Sequence, residues 1–310
     1  MPGIWIYSED STVARQLLTA GQELKKTTDQ SVNVIAITDE AAQSLAGAGA
    51  DKVYLLKGIS AWPESYAGVI DELLKKEQAS VVLIGATLRG KDVAAKVAAK
   101  LQAGLVTDAL TVQFVNDAIE TTRLMYGGLA ICTEVVSLPA LVTIPPRTFA
   151  EASETAGQGE IITVEVTNED SRVVISNVCP IVREGADIAT ANRIVCVGRG
   201  LSKQEDMKLV EELAAACGAE IACTRGISED YHWLPNDRYI GISGQKVKPE
   251  LYIGMGISGQ VQHVVGIRDA KIIVAIDTNE KAPIFEAADY GIVGDLYEVV
   301  PLLTAALQKK

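Results

Sequence analysis

Four short apolar runs open the chain: GIWIYS (3–8), VNVIAIT (32–38), KVYLL (52–56) and SVVLIGA (80–86). Segments of helix length lie between and after them, at 11–27, 39–48, 62–78 and 89–103. A strand that is apolar along its whole length, with no polar alternation, has to be covered on both faces. Helices between successive strands supply that cover, and each connection is then long enough for a parallel crossover. This alternation predicts a mostly parallel α/β sheet. A chain of 310 residues that is 48% hydrophobic can bury such a core twice over, which suits two domains.

The pattern changes twice. From Leu110 to Val166 the runs LTVQF, ETTRLMYGGLAICTEV, ALVTI and ITVEV are rich in strand formers and poor in helix signals, and predict antiparallel strands added to the first sheet. Residues 167–192 are polar and mixed, and the predicted domain boundary falls there, giving domains 1–187 and 188–310. A second alternating set follows: RIVCVGRG (193–200), a helix at 203–217, AEIACTRG (219–226), YIGISG (239–244), ELYIGMGISG (250–259), KIIVAID (271–277), YGIVGD (290–295) and an amphipathic helix at 297–308.

Charge and cysteine content exclude several classes. The net charge of -12 argues against nucleic acid and anionic membranes as partners. From residue 188 onward there are 13 basic and 16 acidic residues, a net of -3; the rest holds 15 and 24, a net of -9. An anionic ligand would therefore find the second domain less hostile, and would still need local arginines and helix N-termini. Cys132, Cys179, Cys196, Cys217 and Cys223 form no C-x-x-C pair, and with only His232 and His263 there is no zinc-like spacing. An odd number of scattered cysteines suits a reducing compartment. The first ten residues reach acid too early for a signal peptide, and no apolar run approaches the ~20 residues a bilayer span requires. The expected location is the cytoplasm.

The second domain carries the chemistry. Six of its predicted strands end in glycine, a hydroxyl or a charge: VCVGRG at Arg199, IACTRG at Thr224 and Arg225, YIGISG at Ser243, YIGMGISG at Ser258, IVAID at Asp277 and YGIVGD at Asp295. Ligands of open parallel sheets bind outside the carboxyl ends of the strands. Two loops place arginine directly before glycine, so a guanidinium and close backbone can meet a phosphate together. GISGQVQHVVGI (256–267) adds Ser258, Gly259, Gln260, Val261, Gln262 and His263, polar partners on a backbone that glycine lets come close. The residues predict a dinucleotide-sized cofactor along this edge.

The stretch PELYIGMGISGQVQHVVGIRDAKIIVAIDTNEKAPIFEAADYGIVGDLYEVVPLL (249–303) closely resembles the signature of electron transfer flavoprotein alpha subunits. VGRGL (197–201) and TRG (224–226) resemble the same family's earlier loops, and GATLRGKDVAAKVAAKLQAGLVTD (85–108) resembles its N-terminal domain. The resemblance implies FAD in the second domain, a beta subunit in contact with the first, a donor of the acyl-CoA dehydrogenase type and a separate redox acceptor. It implies an electron carrier without a substrate of its own. By position, Arg199 would contact the phosphates, and Asp295 and Leu296 would lie on the adenosine side. Thr224 and Arg225 would lie by the flavin, and Ile240, Gly241 and Ile242 would lead to Ser243 at N5. Ser258 to His263 would wrap the cofactor, with His263 toward O2. An arginine and a histidine there would stabilise negative charge on the reduced ring. At about 1.5–3 kcal/mol per charge-assisted bond, the pair would move the potential by ~100 mV.

Two positions depart from the family pattern: Ile242 stands where glutamine is usual, and Asp277 where asparagine is usual. Three other readings stay open at this point. They are a bifurcating flavoprotein with NADH as donor, an NAD- or thiamine-diphosphate-type enzyme on a similar sheet, and a nucleotide-binding regulatory module on residues 1–187.

Overall fold

The computed structural model describes residues 3–58, 62–155, 159–166, 170, 172–179 and 187–309. The chain divides into two compact units, Met1–Val178 and Cys179–Lys310. Of the connector predicted at 167–192, residues 167–169, 171 and 180–186 lie outside the described ones.

In the first unit the predicted alternation is present. β1 (Ile4–Tyr7), α1 (Ser11–Thr28), β2 (Val32–Ala36), α2 (Asp39–Gly47), β3 (Lys52–Lys57), α3 (Ala67–Lys76), β4 (Val81–Gly85) and α4 (Leu88–Leu101) follow in order. Short side chains start the helices. Asp10 Oδ1 accepts from Thr12 N and Val13 N, Thr38 caps α2, and Thr87 Oγ1 accepts from Gly90 N. Six further strands complete the unit: β5 (Gly104–Val106), β6 (Thr111–Val115), β7 (Ala118–Met125), β8 (Ala130–Ser137), β9 (Ala140–Ile144) and β10 (Glu160–Glu165).

The main sheet runs β10-β3-β2-β1-β4-β9-β5, and every pairing in it is parallel. One expectation is corrected here: the later strands do not extend it in antiparallel fashion. β9 and β10 join it in parallel, while β6, β7 and β8 make a separate three-stranded antiparallel sheet. Burial sets β9 apart from β8. β9 is buried at all five positions and fits only inside a sheet covered on both sides, whereas β8 alternates. Ile119, Phe114 and Val136 face the core that α1 shares, and Ile131 and Val135 face outward.

The second unit contains β11 (Arg193–Val197), α5 (Met207–Cys217), β12 (Glu220–Cys223), β13 (Leu251–Met255), α6 (Val261–Ile267), β14 (Ile273–Asp277), α7 (Ile284–Ala287), β15 (Tyr290–Val293) and α8 (Leu296–Gln308). Its sheet is parallel throughout, in the order β12-β11-β13-β14-β15. The chain thus leaves β11 to one side for β12 and returns to the other side for β13. That reversal opens a crevice at the carboxyl ends of β11 and β13.

Side chains alternate between two cores. Val195, Val197, Ile253 and Met255 pack under α5 and α8, and Ile194, Cys196, Tyr252 and Ala275 pack on the opposite face with Ile267 and Ile284. Cys196, Cys217 and Cys223 are buried. YIGISG, expected as a strand, is a turn instead. Gly244 N donates to Gly241 O, and only isolated bridges tie Tyr239 to Cys223 and Ile240 to Gln245. Among the described residues no helix is long and apolar enough to cross a membrane.

Candidate functional site

A cavity of about 560 Å3 opens at that crevice, within the range of about 300–1,000 Å3 that small-molecule sites occupy. Four successive loops build it: Gly198–Gly200 after β11, Thr224–Gly226 after β12, Gly256–Gln260 after β13, and Asp277–Thr278 at the end of β14. All its walls come from the second unit.

Glycine lets the loops interlock. Gly198 N donates to Met255 O and Gly200 N to Gly256 O, both at 3.0 Å, which laces the β11 loop to the β13 loop. A Cβ on Gly198 would collide with the carbonyl oxygen of Gly256. Gly259 sits at φ 79, and a Cβ there would run into the backbone of Ile284. That packing sets the path of Ser258–Gln260 into α6, and Ile284 N donates to Ser258 O.

Of the residues expected from sequence, Arg199, Thr224, Arg225, Ile240, Ser243, Ser258, Gly259, Gln260, Gln262, His263 and Asp277 line the cavity together. Gly241, Ile242, Val261, Asp295 and Leu296 do not. Ile242 is half exposed, and its N–H donates to Gln262 O. Val261 opens α6 with its side chain exposed. Asp295 is the N-cap of α8, its Oδ1 accepting from Tyr297 N at 2.9 Å, and Leu296 is buried beside Gly256 in the α5–α8 core.

The cavity also takes in Gly198, Gly200, Gly226, Asp230, Tyr239, Gly256, Ile257 and Thr278. The glycines belong to the loops already singled out. Asp230 and Tyr239 carry no sequence signal: one ends a single π-helical turn at Gly226–Asp230, and the other is brought in by the turn that follows. Tyr239 Oη and Ser243 Oγ share a hydrogen bond of 2.6 Å.

The two arginines differ. The stem of Arg199 lies across Gly226, and among the described residues its exposed guanidinium has no hydrogen bond or ion pair. Arg225 is paired with Glu229, one turn on. His263 is different again. It is buried, its Nδ1 lies 3.1 Å from Ile240 O and its Nε2 lies 2.7 Å from Tyr252 Oη. Burial pulls its pKa down to about 4, against a smaller upward pull from the Ile240 carbonyl. It therefore faces the cavity as a neutral ring. Asp277 Oδ1 accepts from Asn279 N. Burial pushes the Cys223 thiol up to about 12 and the Cys196 thiol well above its ordinary value, so neither is a nucleophile.

This donor set suits a molecule with phosphates, hydroxyls and a polar ring. The unpartnered Arg199 fits a phosphate. Asp230 and Asp277 are acceptors for sugar-type hydroxyls, and Thr224, Ser243, Ser258 and Thr278 can donate or accept. Among the described residues no cluster of three or more His, Cys, Asp or Glu could hold a metal. The first unit has a smaller cavity, of about 280 Å3, lined by Ser8, Glu9, Thr38 and Glu40 among others. Two carboxylates and no cation make it a poor phosphate site.

Fold and site together define a two-unit α/β protein with a cavity of cofactor size at the switch point of its second sheet. Comparison with known families makes that specific. Residues 5–169 match the family described as "Electron transfer flavoprotein domain", and residues 187–268 match "Electron transfer flavoprotein FAD-binding domain". The chain is 38% identical over 310 residues to the Escherichia coli K12 protein named "Putative electron transfer flavoprotein subunit YdiR", covering 99% of this chain and 98% of that one. It is 37% identical over 313 residues to "Protein FixB" of the same strain and of Shigella flexneri, again covering 99% and 98%. The chain belongs to the electron transfer flavoprotein family, as an alpha-type subunit with FAD as its cofactor. A subunit of this type implies a partner beta subunit and redox partners.

Proposed function

We propose that the chain holds FAD in the β11–β13 crevice and shuttles electrons from a dehydrogenase of the acyl-CoA type to a second redox protein. The observation that carries this is the convergence of Arg199, Arg225 and the glycine loops on one cavity at the carboxyl edge of a parallel sheet. Bound flavin supplies one- and two-electron chemistry.

The protein's residues supply binding and placement. Arg199, lying over Gly226, holds the phosphates as a charge-assisted donor. Asp277 and Thr278 take ribityl or ribose hydroxyls. Thr224, Arg225 and Ser243 flank the ring system, with the Ser243 hydroxyl oriented by Tyr239. Ser258, Gly259, Gln260 and Gln262 close over the cofactor, with Ile240 and His263 as the wall behind. Arg225 is then the cation beside the ring, and it has to share its charge between the flavin and Glu229. The side chain of Ile242 offers no polar contact where the family pattern has glutamine. The first domain, 1–187, provides the contact with the beta subunit.

The test is the visible spectrum of the chain purified with its beta subunit, followed by mass spectrometry of the released cofactor. One FAD per heterodimer is expected. Two would replace the simple carrier with a bifurcating flavoprotein. A colourless complex that stays colourless after FAD is added would overturn the assignment of the crevice.

A further inference from the structure

We propose that Tyr252 is a positioning residue that fixes His263 as a neutral imidazole with its proton on Nδ1. This wall of the cavity then presents a dipole and no cation.

The argument is one of donors and acceptors. The Ile240 carbonyl can only accept, so the 3.1 Å contact requires a hydrogen on His263 Nδ1. In the neutral ring, Nε2 then carries a lone pair. Tyr252 Oη lies 2.7 Å from it and donates. The Cys196 thiol is buried on the neighbouring strand, in the same core as Tyr252. Three groups form a directed chain: Tyr252 O–H to His263 Nε2, and His263 Nδ1–H to Ile240 O.

The chain is sealed. Cys196 and Tyr252 are wholly buried and His263 nearly so. A second proton on the ring would put two donors face to face at Nε2 and Tyr252, unless the tyrosine turned its hydrogen toward Cys196. Both ring nitrogens are therefore occupied by the protein itself. Tyr252 sits on β13, at the switch point, while His263 sits on α6. The bond ties the wrapping segment to the sheet and sets its charge at the same time. What this means for the cofactor rests on placing FAD in the crevice; the tautomer itself does not.

The chain contains two histidines, so 15N-histidine labelling of the full chain gives two ring systems. His232→Asn identifies the second one, at a position whose φ of 55 tolerates asparagine. Long-range 1H–15N spectra of the flavin-free chain at pH 7 are expected to show His263 with a protonated Nδ1 and a pyridine-type Nε2. Tyr252→Phe is expected to shift the Nε2 resonance toward that of a free lone pair, or to mix the tautomers. A wild-type ring protonated on Nε2, or on both nitrogens, would overturn the proposal. So would ring shifts that Tyr252→Phe leaves unmoved. If that variant does not fold, the wild-type tautomer decides alone. Adding FAD separates the two readings: a shift at His263 without one at His232 supports the cofactor's placement, and no shift at either sinks that placement while the tautomer result stands.

Discussion

At the scale of single residues, positive charge in the cavity is concentrated in Arg199 and Arg225, because burial removes it from His263. Arg199→Gln deletes a guanidinium that no group shares among the described residues. It is expected to weaken FAD binding about ten- to a hundredfold, the equivalent of roughly 1.5–3 kcal/mol, and to leave the melting temperature of the flavin-free chain unchanged. A fluorescence titration and a thermal melt check the two halves. His263 gives a pH prediction. Its folded pKa, about 4, lies below the value of about 6.5 it has in an unfolded chain. The unfolded state then binds more protons between those values, so this histidine's contribution is fully present above pH 6.5 and is lost as pH falls toward 4. Denaturant melts between pH 7 and 4 are expected to show a loss on the order of 3 kcal/mol that His263→Gln removes. The residue types here were readable from sequence, but the state of the imidazole was not, because it depends on Tyr252 and the Ile240 carbonyl.

At the scale of elements, most of the α/β alternation was legible, since continuous apolar runs and helix-length spacers each have one economical solution. What escaped was local. YIGISG has strand-like residues, yet Gly241 and Gly244 close it into a turn, and QVQHVVGI hides the short helix α6. Whether a late strand joins a sheet or starts its own depends on which faces find cover, as β8 and β9 show, and single runs do not encode that. The strand ends were the best guide to the site. Two of the exceptions, Asp295 and Leu296, begin a helix: one caps it and the other anchors it. Asp295→Ala is accordingly expected to cost about 1 kcal/mol of stability, read as a lower melting temperature. FAD affinity should change less than twofold. A large loss of affinity with an unchanged melt would give Asp295 to the cofactor instead.

At the scale of the whole molecule, an anionic cofactor approaches a chain of net charge -12. The arginines act over a few ångströms, while the general field repels from farther out and is screened within about 10 Å at 0.1 M salt. Flavin uptake by the flavin-free protein is therefore expected to quicken as salt rises from low values, and stopped-flow fluorescence would record it. A rate that falls with salt would mean that the local arginines dominate the approach as well as the docking.

The buried thiols bear on wear. A protein that passes electrons in air stands close to the peroxide its own cofactor can release. Oxidation of cysteine follows thiolate character and access. Cys196 and Cys223, on the strands directly beneath the cavity, have neither, since burial keeps both protonated and out of reach. The strands beneath the cavity are thus shielded from oxidation, and damage over many turnovers should collect first at exposed Cys179.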